Sequence, residues 1–200
     1  MKAGIDYIGV GVGGPDFGAH TEIFSDSTRF HASAKANDMK AGTDYVGVGV
    51  GGLILGHDGR ILLAQRGPQA RNQRGQWKNP GGGLDFGEDF RACIMREIHE
   101  ELGITVRIEG LLRVVNHTIP DEGQHWVSPT FVCRVVNGEP EIREPGKCSA
   151  IGWFDIDDLP EPMTAISEAD IRCYRLMRDQ GRALLPPEWT EPLPPDEQNI

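Results

Sequence analysis

Hydrophobic and polar positions along this chain switch between two periods, and the switches mark out its elements. From Met39 to Leu55 aromatic and β-branched residues separated by glycines run into Leu53-Ile54-Leu55, which reads as a strand. His57-Asp58-Gly59 is a turn, and Arg60 to Arg66 reads as a second strand. Gly67 to Asn79 is polar and basic, and Pro80-Gly81-Gly82-Gly83 follows as a tight turn. The period then lengthens: Asp85 to Leu102 passes from loop into helix, with Glu88 and Asp89 in its first turn, where the helix dipole favours negative charge, and Gly103 as terminator. Thr105 to His117 and His125 to Val136 return to alternation, the second ended by Asn137-Gly138. Ser149 to Ile156 is a last short strand, and Ala165 to Gln180 has helical spacing, with Ile166, Ile171, Tyr174, Leu176 and Met177 available for packing. Strands in mixed order around two helices predict a layered α/β (α+β) domain.

One pattern repeats. MKAGIDYIGVGVGG at residues 1–14 returns as MKAGTDYVGVGVGG at 39–52, with Ile5 against Thr43 and Ile8 against Val46 as the differences. A single recurrence is not a solenoid, which needs several stacked units. Only the second copy continues into further strands, so it is the better first strand of the domain. Residues 1–38 read as an extension, 39–185 as the domain, and 186–200 as a proline-rich acidic tail. The sharper expectation for the first copy is pairing with a sheet edge, in its own subunit or in a homodimer.

The predicted helix carries the chemistry. At about 100° per residue, Glu97, Glu100 and Glu101 share one arc while Phe90, Ile94, Ile98 and Leu102 form an adjoining apolar ridge. Like charges at this spacing cost a helix a few tenths of a kcal/mol per pair, roughly, unless cations neutralise them. Hard oxygen donors without a nearby Cys or His set favour Mg2+, with Mn2+ as substitute, over zinc. An isolated acidic run is more often a solvated face. Here the spacing extends further: Gly82, five residues, Glu88, seven residues, Arg96-Glu97, Ile98, one residue, Glu100-Glu101, one residue, Gly103-Ile104. Such a coincidence arises by chance on the order of once in a billion starting points, which removes chance as a rival.

This pattern resembles the signature of the Nudix hydrolases at every position. The resemblance implies an α/β/α sandwich with a mixed central sheet and cleavage of a diphosphate. It implies Glu97 and Glu101 as principal metal ligands, Glu100 as a further one, and a main-chain carbonyl near Gly81 or Gly82 completing the shell. Arg96 is then expected to orient the carboxylates and Glu88 to support them. The acceptor of the water's proton stays open among Glu101, Glu100 and a glutamate outside the signature, Glu141 or Glu144.

Around it, Arg66 resembles the arginine that contacts phosphate in several members, against the alternative of a surface salt bridge. Trp77 and Trp126 are candidates for stacking on a base, and each has core packing as its alternative. His117, a lone histidine, reads as structural. The runs WKNPGGGLDFGE, HWVSPTF and EPGKCSAIGWFDIDDLPEPM are similar to the MutT-like nucleotide-sanitising branch of plant cytosol and its animal relatives. That branch has a histidine where this chain has Gly83. The implied reaction is hydrolysis of a nucleoside triphosphate, oxidised or non-standard forms included, to monophosphate and pyrophosphate. A nucleoside diphosphate sugar, such as ADP-ribose or GDP-mannose, is the alternative substrate, and a non-catalytic binding module the alternative class.

Composition narrows the partners. Two hundred residues suit one domain with extensions, and 20 basic against 30 acidic residues give a net charge of −10, which argues against gripping nucleic-acid backbone. Cys93, Cys133, Cys148 and Cys173 form no CxxC pair, so neither a zinc site nor a disulfide framework is expected. No long apolar run suggests a membrane span or leader, and the chain reads as soluble and cytoplasmic.

Overall fold

The glycine-spaced stretch forms the strand β1 (Gly47–Leu55), which hydrogen-bonds to three others in one seven-stranded sheet. The computed structural model describes residues 39–186; the first repeat copy, its expected edge pairing and the tail from residue 187 lie outside the described residues. β2 (Ile61–Arg66), β3 (Trp77–Lys78) and β4 (Gly81–Gly83) precede α1 (Phe90–Leu102). The long strands β5 (Thr105–Ile119) and β6 (Gln124–Asn137), then β7 (Cys148–Phe154) and α2 (Ala165–Asp179), complete the domain. Strand order is β3-β2-β1-β6-β5, with β4 added to β1 and β7 to β2. β1 and β6 run parallel while the other pairs are antiparallel, so the sheet is mixed.

Alternation along the strands divides the core in two. Val50, Ile54 and Leu62 join Ile94, Ile98 and Leu102 of α1, whereas Leu53, Leu55, Ile61 and Leu63 join Ile171 of α2. The helices therefore cover opposite faces, giving the α/β/α sandwich. On α2 the expected residues Ile171, Tyr174 and Met177 pack, joined by Cys173, while the expected Leu176 turns to solvent. Among the described residues no helix is long and apolar enough to cross a membrane.

Three local readings change. Lys40 to Asp44 is a turn rather than strand: the Asp44 carboxylate accepts from Lys40 N–H at 2.7 Å, and Gly42 takes a left-handed φ of 80°. The Gly81–Gly83 run is a strand and not a free turn, with Gly49, Val50 and Gly51 facing Gly83, Gly82 and Gly81. α1 starts later than expected. Asp89 caps it, accepting from the N–H groups of Arg91 and Ala92, and no acid lies in the first turn.

Candidate active site

Starting α1 at Phe90 frees Glu88 from the helix, and the carboxylate turns to Arg96. Arg96 Nε donates to Glu88 Oε1 and Nη2 to Glu88 Oε2, each at 2.8 Å. Hydrogen bonding from Arg96 lowers the Glu88 pKa to about 2, and the same pair raises that of Arg96. Arg96 Nη1 reaches Glu97 Oε1 at 2.9 Å and Glu100 Oε2 at 3.3 Å, and Nη2 reaches the Gly83 carbonyl at 3.3 Å. One guanidinium thus ties the helix to the strand beside it.

Glu97 and Glu101 lie one turn apart and both line a groove of about 560 Å³. The Glu97 carboxylate sits against β4 so closely that a Cβ on Gly82 would stand 2.2 Å from Oε2. Burial pushes the Glu97 pKa up, the Arg96 contact pulls it back, and the charges of Glu101 and Glu100 add to the rise. Glu101 accepts from Gly81 N–H at 3.2 Å and from Lys78 Nζ at 3.0 and 3.4 Å. Glu100 is set apart: its side chain is 56% exposed and does not line the groove.

Among the described residues no group of three or more His, Cys, Asp or Glu side chains is disposed to hold a metal ion. Two of the three signature carboxylates converge, and Lys78 occupies one of them. The donors nevertheless suit a hard cation. Glu97 and Glu101 flank backbone that only glycine can supply so close, and the mutual repulsion of buried carboxylates is what a cation relieves.

Of the open proton acceptors, Glu144 lines the groove, paired to Lys147 at 2.7 Å, whereas Glu141 pairs with Arg143 outside it. Arg66 lines the groove, donating Nε to the Asn72 carbonyl and Nη2 to the Asn72 side chain, so it braces the β2–β3 loop instead of making an ion pair. The two tryptophans separate. Trp77 packs edge-on against Phe154 at 4.9 Å in the α2-side core and does not line the groove. Trp126 does line it, lying against the backbone at Gly42 and Gly47, with the Arg71 guanidinium carbon 5.6 Å over its ring. His117 also faces the groove, burial holding its pKa below the ordinary value.

Sequence reasoning missed one part of the groove wall. There Asp170, 2% exposed, accepts from Arg113 Nε at 2.6 Å, Thr130 Oγ1 at 3.0 Å and Asn79 Nδ2 at 3.2 Å. Asn79 Oδ1 is buried without a partner. Asp170 falls on the packed face of α2, and a charged residue at a packing position was the available signal. Lys78 was missed as well, although alternation on β3 sends it opposite to Trp77. Burial raises the Cys93 and Cys133 thiols to about 12, which disfavours their thiolates.

A family model described as the NUDIX domain matches residues 46–177. The chain is similar, at 40% identity and a TM-score of 0.59, to the crystal structure of a MutT NUDIX hydrolase from Burkholderia pseudomallei, covering 63% of this chain and 95% of that one. It is 31% identical over 108 residues to an ADP-ribose pyrophosphatase of Methanocaldococcus jannaschii, covering 54% of this chain and 62% of that protein. Over 104 residues it is 28% identical to a nudix hydrolase of Caenorhabditis elegans, covering 52% of this chain and 27% of that protein.

Proposed function

Since this chain belongs to the Nudix hydrolase family, we propose that it is a divalent-cation-dependent pyrophosphohydrolase that splits a nucleoside triphosphate into monophosphate and pyrophosphate. The observation that carries this reading is the placement of Glu97 and Glu101 against the Gly81–Gly83 strand, at the wall of a groove lined by both basic and polar side chains.

The chain's own groups divide the work. Arg66, Arg71 and Lys147 line the groove and offer positive charge to a polyphosphate. The part of the wall lined by Asn79, Thr130, Ser167 and Asp170 offers hydrogen bonds to the nucleoside. Arg96 holds the signature carboxylates in register, with Glu88 fixing the guanidinium. Mg2+, or Mn2+ in its place, would be held by Glu97, Glu101 and the carbonyl near Gly82, and when bound would supply charge neutralisation on the bridging phosphates and acidify water; Glu100, turned to solvent beside Arg96, is not placed with them. Water oxygen bonds to phosphorus, the phosphoanhydride P–O bond breaks, pyrophosphate leaves, and Glu101 is assigned the water's proton. Four free cysteines support a reducing, cytoplasmic setting.

The test is product analysis by ³¹P NMR, with Mg2+, on nucleoside triphosphates and nucleotide sugars run side by side. Monophosphate and pyrophosphate from a triphosphate are expected. Preferential hydrolysis of ADP-ribose would replace this substrate class, and absence of product across both sets would overturn the enzymatic reading.

A further inference from the structure

Lys78 leaves β3 on the groove side, and its ammonium is enclosed by oxygens that a metal would also seek. Nζ lies 3.0 Å from the Gly81 carbonyl and 3.0 and 3.4 Å from the two oxygens of Glu101. The Gly81 N–H closes the ring by donating to Glu101 Oε2 at 3.2 Å. Both side chains are largely withdrawn from water, at 16% and 14% exposure, so the pair is neither solvated nor incidental in cost. A carbonyl beside a carboxylate is a hard-cation donor set. An ammonium and a divalent ion cannot share it, because like charges about 3 Å apart repel strongly even in a partly aqueous medium.

We propose that Lys78 is an internal counter-ion that holds the Gly81 and Glu101 oxygens until a divalent cation exchanges for it, and that the displaced ammonium then serves as a phosphate contact in the groove. This rests on the reading of Glu101 as a metal-binding carboxylate. Lys78 is a positioning residue. While paired, it keeps Glu101 turned toward β4 instead of toward solvent. Released, it carries three N–H donors on a flexible stem into a groove already lined by Arg66, Arg71 and Lys147. Metal binding and polyphosphate binding are thereby coupled through one side chain, and linkage makes that coupling reciprocal.

The measurement is Mn2+ affinity of the full-length protein, read by electron paramagnetic resonance with Mn2+ alone and again with an α,β-methylene triphosphate analogue. Lys78→Met is expected to bind Mn2+ about tenfold more tightly than wild type, the worth of one charge-assisted contact. The analogue is expected to tighten Mn2+ binding less in that variant than in wild type. Lys147→Gln removes the same charge from the same groove without touching these oxygens, and should shift Mn2+ affinity by no more than a few-fold, roughly the reach of an exposed charge. Lys78→Gln reads the same effect should the methionine variant fold poorly. Unchanged or weaker Mn2+ binding in a folded Lys78 variant would overturn the proposal, as would equal shifts in the Lys78 and Lys147 variants. Tighter Mn2+ binding in Lys78→Met alongside a wild type that hydrolyses nothing would sink the hydrolase reading and leave this one standing.

Discussion

Arg96 and Glu88, eight positions apart, meet through two parallel hydrogen bonds of 2.8 Å, and this pair turns a helix and the loop before it into one rigid piece. Arg96→Lys keeps the charge and loses the fork. The variant is expected to lose about 1–3 kcal/mol in urea unfolding and to turn over at least tenfold more slowly, roughly. Wild-type turnover in this variant would mean that the carboxylates do not depend on the guanidinium.

The same pair sets an acid limb. Glu88 has its folded pKa lowered to about 2 from an ordinary value of 4.5, so it adds stability above that ordinary value and loses it as pH falls toward 2. Thermal melting from pH 5 to pH 2, roughly, should fall more steeply in wild type than in Glu88→Gln, whose amide does not titrate in that window. Parallel curves would assign the acid limb to other groups.

Glu101→Gln retains size and most hydrogen bonding while removing the charge. We expect turnover to drop at least about a hundredfold at saturating Mg2+, together with a lower melting temperature because Lys78 loses its counter-charge, so rates are compared below the melt. Near-normal rates would refute the role assigned to Glu101.

Two neighbouring glycines should respond differently to alanine. At Gly82 the new methyl meets the Glu97 carboxylate, a movable side-chain end, so Gly82→Ala should fold while losing metal affinity and turnover. At Gly81 the methyl would stand 2.1 Å from the Val50 carbonyl on backbone with φ of 140°, so Gly81→Ala should fail by unfolding, at a cost of about 1–3 kcal/mol or more. Circular dichroism melts with Mn2+ titrations separate the two outcomes.

The tryptophans give a similar contrast. Trp77→Ala empties part of the α2-side core and should cost about 3 kcal/mol in stability. Trp126→Ala should raise KM for the nucleotide more than it lowers stability, since its ring faces the groove under Arg71. Equal stability losses with unchanged KM would make both tryptophans packing residues.

What could be read from the chain alone tracks where the physics is local. The α1 ridge of Ile94, Ile98 and Leu102 is a periodicity, and it packs as the periodicity requires. The helix start is a competition between caps: Asp89 won it, and Glu88 was released to Arg96 by a contact eight residues distant. The glycine run reads as a turn because glycine has no strand propensity, yet pairing with β1 overrides that preference. Arg66, read as a phosphate ligand or a salt bridge, also grips Asn72, a role visible only once the loop is folded. The Asp170 cluster draws on β3–β4, β5, β6 and α2, so no single stretch of sequence contains it.

β3 is two residues long, and a slip by one position would bury Lys78 in the core and put Trp77 in the groove. Its register is held by β2 on one side and by the segment leading into α2 on the other. Trp77 N–H donates to the Pro162 carbonyl and Thr164 N–H to the Trp77 carbonyl, both from the segment leading into α2. The loop carrying Arg71 and Asn72 is closed at its base, where Arg66 N–H donates to the Gln76 carbonyl and Gly75 N–H to the Arg66 carbonyl, so its tip can change while the lysine stays at its post. A protein built this way can change what it admits to the groove without renegotiating how the carboxylates are held.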